Sequence, residues 1–71
     1  MVDIQLADRA HEALRNSPHV PLRSLRLEAR EGRVILQGTV GSFFQKQMAQ
    51  ETLRRVEGIA AIENQLEVQW A

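Results

Sequence analysis

The second half of the chain carries a strand, helix, strand pattern that only a few folds can accommodate. Apolar residues alternate along residues 34–40 and again along residues 62–68, which is typical of half-buried strands. Between them, apolar residues recur at a helical period from Ser42 to about Val56. A strand, a helix and a second strand in this order predict a right-handed crossover that places the two strands parallel in one sheet.

Polar residues and glycines mark the boundaries of this unit. Ser42 is a favoured N-cap residue, and Gln45 lies where it can complete a capping box. Gly58 is predicted at the C′ position that follows the helix, where a left-handed backbone favours glycine. Gly38 interrupts the first of the two strands, which indicates either close packing of a helix over the sheet or a bulge.

The first half adds one helix and a hairpin. Asp3 is a predicted N-cap for a helix that runs to about Asn16, and the proline of Ser17-Pro18 ends it. The apolar half of this helix comprises Ile4, Leu6, Ala7, Ala10, Ala13 and Leu14. Alternating residues in 25–30 and 34–40, joined by a turn at Glu31-Gly32, predict two antiparallel strands.

Together these elements predict a single domain over residues 1–71, of the α+β class. The order is α-β-β-α-β, a two-layer α/β sandwich in which a three-stranded mixed sheet carries both helices on one face. The favoured strand order in space is 1-2-3. Ile35 lies on the opposite face from its neighbours, which indicates a central second strand. On the last strand, Asn64 interrupts an apolar face formed by Ile62, Leu66, Val68 and Trp70.

Charge and composition limit the classes of function. Nine basic and nine acidic side chains cancel, which argues against nucleic acid as a partner, since that binding is mostly phosphate neutralisation. No apolar run approaches the roughly 20 residues of a transmembrane helix. The first residues lack the features of a secretory signal, so we expect a cytoplasmic chain as given, or an envelope or periplasmic one if it belongs to a longer exported protein.

The sequence offers no constellation of residues for catalysis or metal binding. Cysteine is absent, and His11 and His19 are eight residues apart with no convincing third ligand. The serines and glutamates form no arrangement typical of a nucleophile or an acid–base pair. We therefore expect no enzyme, no metal and no cofactor.

Five residues are candidates for contact with a lipid or a partner. Phe43 projects from the polar side of the second predicted helix, on the same side as Lys46 and Arg54, while Phe44 is nearer the edge of its apolar stripe. An exposed aromatic residue near basic side chains is typical of a membrane interface or of an anchor in a partner's pocket. Trp70 is a candidate core cover, interface anchor or dimer contact.

At this level of detail the chain resembles the BON domain (bacterial OsmY and nodulation) family. The resemblance covers roughly residues 22–68 closely and the first helix loosely. It rests on the strand motif V-x-L-x-G-x-V, a small residue that opens the helix, an alanine within it, a V-x-G-V turn and a final V-x-N-x-L-x-V strand. The matching residues are Val34, Leu36, Gly38, Val40, Ser42, Ala49, Val56, Gly58, Ile59, Ile62, Asn64, Leu66 and Val68.

The resemblance implies a non-enzymatic binding module. Family members are associated with phospholipid surfaces, osmotic-stress protection and the cell envelope, so it implies anionic phospholipid or an envelope protein as the partner. Two alternatives stay open: a protein-interaction or self-association module, including a weak homo-oligomer, and a module that senses monovalent ions. The family motif contains no shared ligand residue, so the resemblance assigns no site.

Overall fold

A computed structural model describes residues 3–69 of the chain and confirms the predicted α-β-β-α-β order and the α+β class. Trp70 lies outside the described residues, so its predicted place on the face of the last strand is untested. The elements are α1 (Ile4–Arg15), a short 3₁₀ turn (Leu22–Ser24), β1 (Leu25–Arg30), β2 (Arg33–Val40), α2 (Phe43–Arg54) and β3 (Ala61–Val68).

Helix α1 begins and ends close to the predicted residues. The Asp3 carboxylate accepts a hydrogen bond from the Leu6 N–H (3.0 Å), and Asn16 is the C-cap. Leu6, Ala10 and Leu14 are buried. Ile4 is the exception on the predicted apolar half, since its side chain is 69% exposed at the first position of the helix.

The sheet has the strand order β1-β2-β3, with β1 antiparallel to β2 and β2 parallel to β3. The favoured order 1-2-3 is therefore confirmed. Strand β2 is central, as Ile35 indicated, and Ile35 is half-buried on the outer face of the sheet. Apart from Ile35 and Ala61, the residues of that outer face are polar or charged, and Arg33 and Glu63 form an ion pair across β2 and β3 (3.0 Å).

Both helices cover the inner face of the sheet, and the core lies between the two layers. The register places Leu36 beside Leu27 of β1 and Asn64 of β3 in one row of that face. The largest fully buried side chains come from both layers: Leu14, Leu36, Leu53, Leu66 and Val34.

The end of α2 differs from the prediction. The helix ends at Arg54 with Arg55 as C-cap, two residues before the predicted Val56. Gly58 has the expected positive φ of 96°, but its assignment to C′ is wrong because it lies three residues after the C-cap. Gly58 instead turns the chain beside α1, where an added Cβ would lie 3.4 Å from Leu6 Cδ1.

The start of α2 has the predicted cap with one change in its geometry. Ser42 Oγ accepts a hydrogen bond from the Gln45 N–H (3.2 Å). The Gln45 side chain reaches back as expected, but its Oε1 accepts from the N–H of Gly41 (2.7 Å) rather than from that of Ser42. The reciprocal pair of bonds fixes the β2–α2 junction and thereby the direction in which the first turn of α2 projects.

Candidate functional site at the start of helix α2

Two helices that run antiparallel bring separate parts of the chain to one end of the molecule. At the far end, Arg9 Nη1 donates to the carbonyl oxygen of Glu57 (3.5 Å), which joins the first half of α1 to the segment after α2. At the near end, the ring of His19 lies edge-on to the ring of Phe44, with centroids 5.1 Å apart and planes at 79°. We call this near end, formed by residues 15–24 and 39–47, the Phe43 end.

Two adjacent aromatic side chains project from the Phe43 end. Phe43 is 64% exposed and Phe44 is 56% exposed, so Phe44 is only slightly nearer the core than its neighbour. Most exposed apolar residues occur singly and need no explanation. Two neighbouring phenylalanines in the first turn of a capped helix form a small apolar projection that a rigid junction holds in place.

The charge around this projection is asymmetric although the chain as a whole is neutral. Residues 13–27 and 32–50 contain no aspartate or glutamate, and these two stretches include the whole Phe43 end. Arg23 and Lys46 contribute positive charge there, while Arg15 forms an ion pair with Glu12 (3.1 Å), just outside the first stretch. The register also brings Glu67, opposite Thr39, to this end of the outer sheet face.

A shallow groove between the two helices leads away from the Phe43 end. Its volume is about 400 Å³, and its lining is mostly apolar. The residues that line it include Ala13, Pro18, His19, Met48, Thr52 and Val56. Because His19 also contacts Phe44, the groove and the aromatic projection adjoin each other.

The structure brings together only part of the predicted set of contact residues. Phe43, Phe44 and Lys46 lie within the first turns of α2. Arg54 lies on the same side of the helix but at its other end, roughly 16 Å along the axis from Phe43 at 1.5 Å per residue. There it forms an ion pair with Glu51 (3.2 Å). Trp70 is outside the described residues.

The sequence alone does not assign His19 or the acid-free stretches to a site. No local pattern indicates that His19 contacts Phe44, because the two residues are 25 positions apart. The distribution of acidic residues along the chain did contain a signal, since their absence from residues 32–50 is visible without any structure.

Among residues 3–69, no group of three histidine, cysteine, aspartate or glutamate side chains is placed to hold a metal ion. No helix within that range is long and apolar enough to cross a bilayer. What the Phe43 end presents is apolar surface beside positive charge.

Comparison with known proteins assigns the family. The family model of the BON domain matches residues 3–69, which covers every helix and strand described above. A comparison with curated proteins finds no match to the chain. Because the family model spans nearly the whole sequence, the chain belongs to the BON domain family, a family of non-catalytic domains.

Proposed function

We propose that the chain is a non-enzymatic binding module that associates with the surface of anionic phospholipid membranes through its Phe43 end. The observation that carries this proposal is the pair of exposed phenylalanines on an end of the molecule whose two contributing stretches lack acidic residues. Phospholipid association among members of the BON family supports it, since the chain shares their fold.

Simple energetics favour a weak, reversible association. Full burial of one phenylalanine side chain contributes about 1.5–3 kcal/mol, and these two rings are already partly covered, so each adds less. Each basic side chain near an anionic surface contributes about 1 kcal/mol. The combined binding free energy resembles that of other peripheral membrane contacts that need both an apolar and an electrostatic contribution, since neither suffices alone.

Vesicle flotation tests this proposal. We expect the chain to float with vesicles of 30% phosphatidylserine in phosphatidylcholine at low salt, and to float less as salt screens the charges. Changing Phe43 and Phe44 together to alanine should weaken binding at least about tenfold. Ile4→Ala is the matched control, because Ile4 is equally exposed but lies at the opposite end of the molecule.

A pair of charge changes on α2 locates the contact. Lys46→Gln should weaken binding about fivefold, the equivalent of about 1 kcal/mol. Arg54→Gln should leave it unchanged, because Arg54 lies at the far end of the helix in an ion pair. No flotation of the unmodified chain on anionic vesicles at low salt would overturn the proposal, as would equal losses for Lys46→Gln and Arg54→Gln.

A cell-envelope protein is the second candidate partner. The apolar groove beside Phe44 favours it, because a protein side chain can fill a concave surface that a flat bilayer cannot enter. A charge placed in the groove by Met48→Lys separates the two candidates. Vesicle binding should survive this change if lipid is the partner, whereas contact with a protein through the groove should not.

A further inference from the structure

Along β3 the sheet has an edge that no other strand of residues 3–69 covers. Ala61 and Gln69 donate their N–H groups toward β2, to the carbonyl oxygens of Gly32 (3.4 Å) and Val40 (2.9 Å). Because backbone groups alternate in direction along a strand, the even-numbered residues of β3 direct theirs to the open side. Unpaired groups in such a row are a template for an added strand.

The side chain of Asn64 occupies the middle of that row. Asn64 Oδ1 accepts a hydrogen bond from the N–H of Leu66 (3.2 Å), one of the groups that point outward. The Asn64 amide nitrogen donates to the carbonyl oxygen of Lys46 (2.9 Å) and to Gln50 Oε1 (3.3 Å), both on α2. The asparagine is thus held from the helix side while it satisfies a donor on the strand edge.

The opposite edge of the sheet is closed at one point as well. The N–H of Asp3 donates to the carbonyl oxygen of Ala29 on β1 (2.8 Å). On β3, charge adds a second obstacle. Antiparallel pairing of two copies of β3 about Gln65 would place Glu63 of one copy opposite Glu67 of the other, and like charges directly opposite each other are destabilising.

We propose that Asn64 keeps the β3 edge closed to strand addition, and that the strand it excludes is β3 of a second copy of this chain. The sheet of the isolated domain then stays three strands wide. This proposal stands apart from membrane binding, because the Phe43 end would contact lipid through side chains, whereas Asn64 contacts that end only at the backbone carbonyl of Lys46.

Amide hydrogen exchange in the unmodified protein tests whether Asn64 closes the β3 edge by holding the Leu66 N–H. We expect the Leu66 amide to exchange at least about tenfold more slowly than the Asn64 amide, which points out of the same edge two residues earlier. Equal exchange at the two positions would overturn the proposal, because Leu66 would then have no lasting partner.

Sedimentation velocity over a range of concentrations tests whether Asn64 prevents pairing with β3 of a second copy. Asn64→Ala frees the Leu66 N–H and should form dimers at a concentration at least about tenfold lower than the unmodified chain requires. Gln65→Ala is the matched control, because it removes a neighbouring polar side chain and leaves the Leu66 donor paired. A folded Asn64→Ala that stays monomeric throughout, or equal association by Gln65→Ala, would contradict the proposal. If Asn64→Ala does not fold, the exchange measurement decides.

Discussion

Gly38 is the residue whose replacement the backbone tolerates least. It sits in the middle of β2 with φ of 129°, and an added Cβ would lie 2.0 Å from the carbonyl oxygen of Ser24. The sequence indicated a close approach at this position, but from a helix or at a bulge. The neighbour is instead the 3₁₀ turn that leads into β1, which no local pattern predicts.

Gly38→Ala should therefore destabilise the domain by at least about 2 kcal/mol, because the strained φ and the backbone clash act together. Urea unfolding followed by circular dichroism measures the loss. Gly41→Ala is the control, since its nearest neighbour would be the flexible end of Gln45 at 3.4 Å. Equal stability of the Gly38 and Gly41 variants would contradict this account.

At the scale of elements, the start of α2 shows how local sequence sets a boundary. Ser42 was predicted as its N-cap, and its hydroxyl does accept from the Gln45 N–H. Gln45 was predicted to bond back, and it does so one residue earlier, at Gly41. Cap residues are predictable because they act within four positions, whereas the particular donor chosen depends on how β2 enters the turn.

Ser42→Ala should cost about 1 kcal/mol of stability, the usual loss when an N-cap hydroxyl is removed. Ser42→Asn should restore most of it, because asparagine also accepts at this position without adding charge to the Phe43 end. Thermal or urea unfolding of the three proteins makes the comparison. A stable Ser42→Ala protein would mean that the Gln45 bond alone holds the junction.

At the scale of the whole molecule, 71 residues leave a small margin of stability. Domains typically have about 0.05–0.15 kcal/mol per residue, which amounts to about 4–11 kcal/mol here. The core is correspondingly small, and its largest fully buried side chains are four leucines and a valine. One cavity in such a core removes a large share of the total.

Leu53→Ala should show directly how much stability one cavity in this core removes. Leu53 is 0% exposed on α2, and truncation of a buried leucine costs about 2–5 kcal/mol. We expect a large fall in the urea midpoint or a chain that is mostly unfolded at 37 °C. Leu53→Met conserves volume and should cost less than about 1.5 kcal/mol. If Leu53→Ala lowered the free energy of unfolding by less than about 1.5 kcal/mol, the core would have collapsed around the gap.

The sequence alone predicts the element order, the two N-caps, the strand pairing and the family, because these depend on periodicity and on residues within a few positions of one another. It also identified Phe43, Phe44 and Lys46 as neighbours on one helix. Contacts between distant residues follow only from the fold: His19 meets Phe44, Ser24 meets Gly38, and Asn64 meets both α2 and the edge of β3. Those contacts depend on how the helical layer sits on the sheet, and no local pattern encodes that placement.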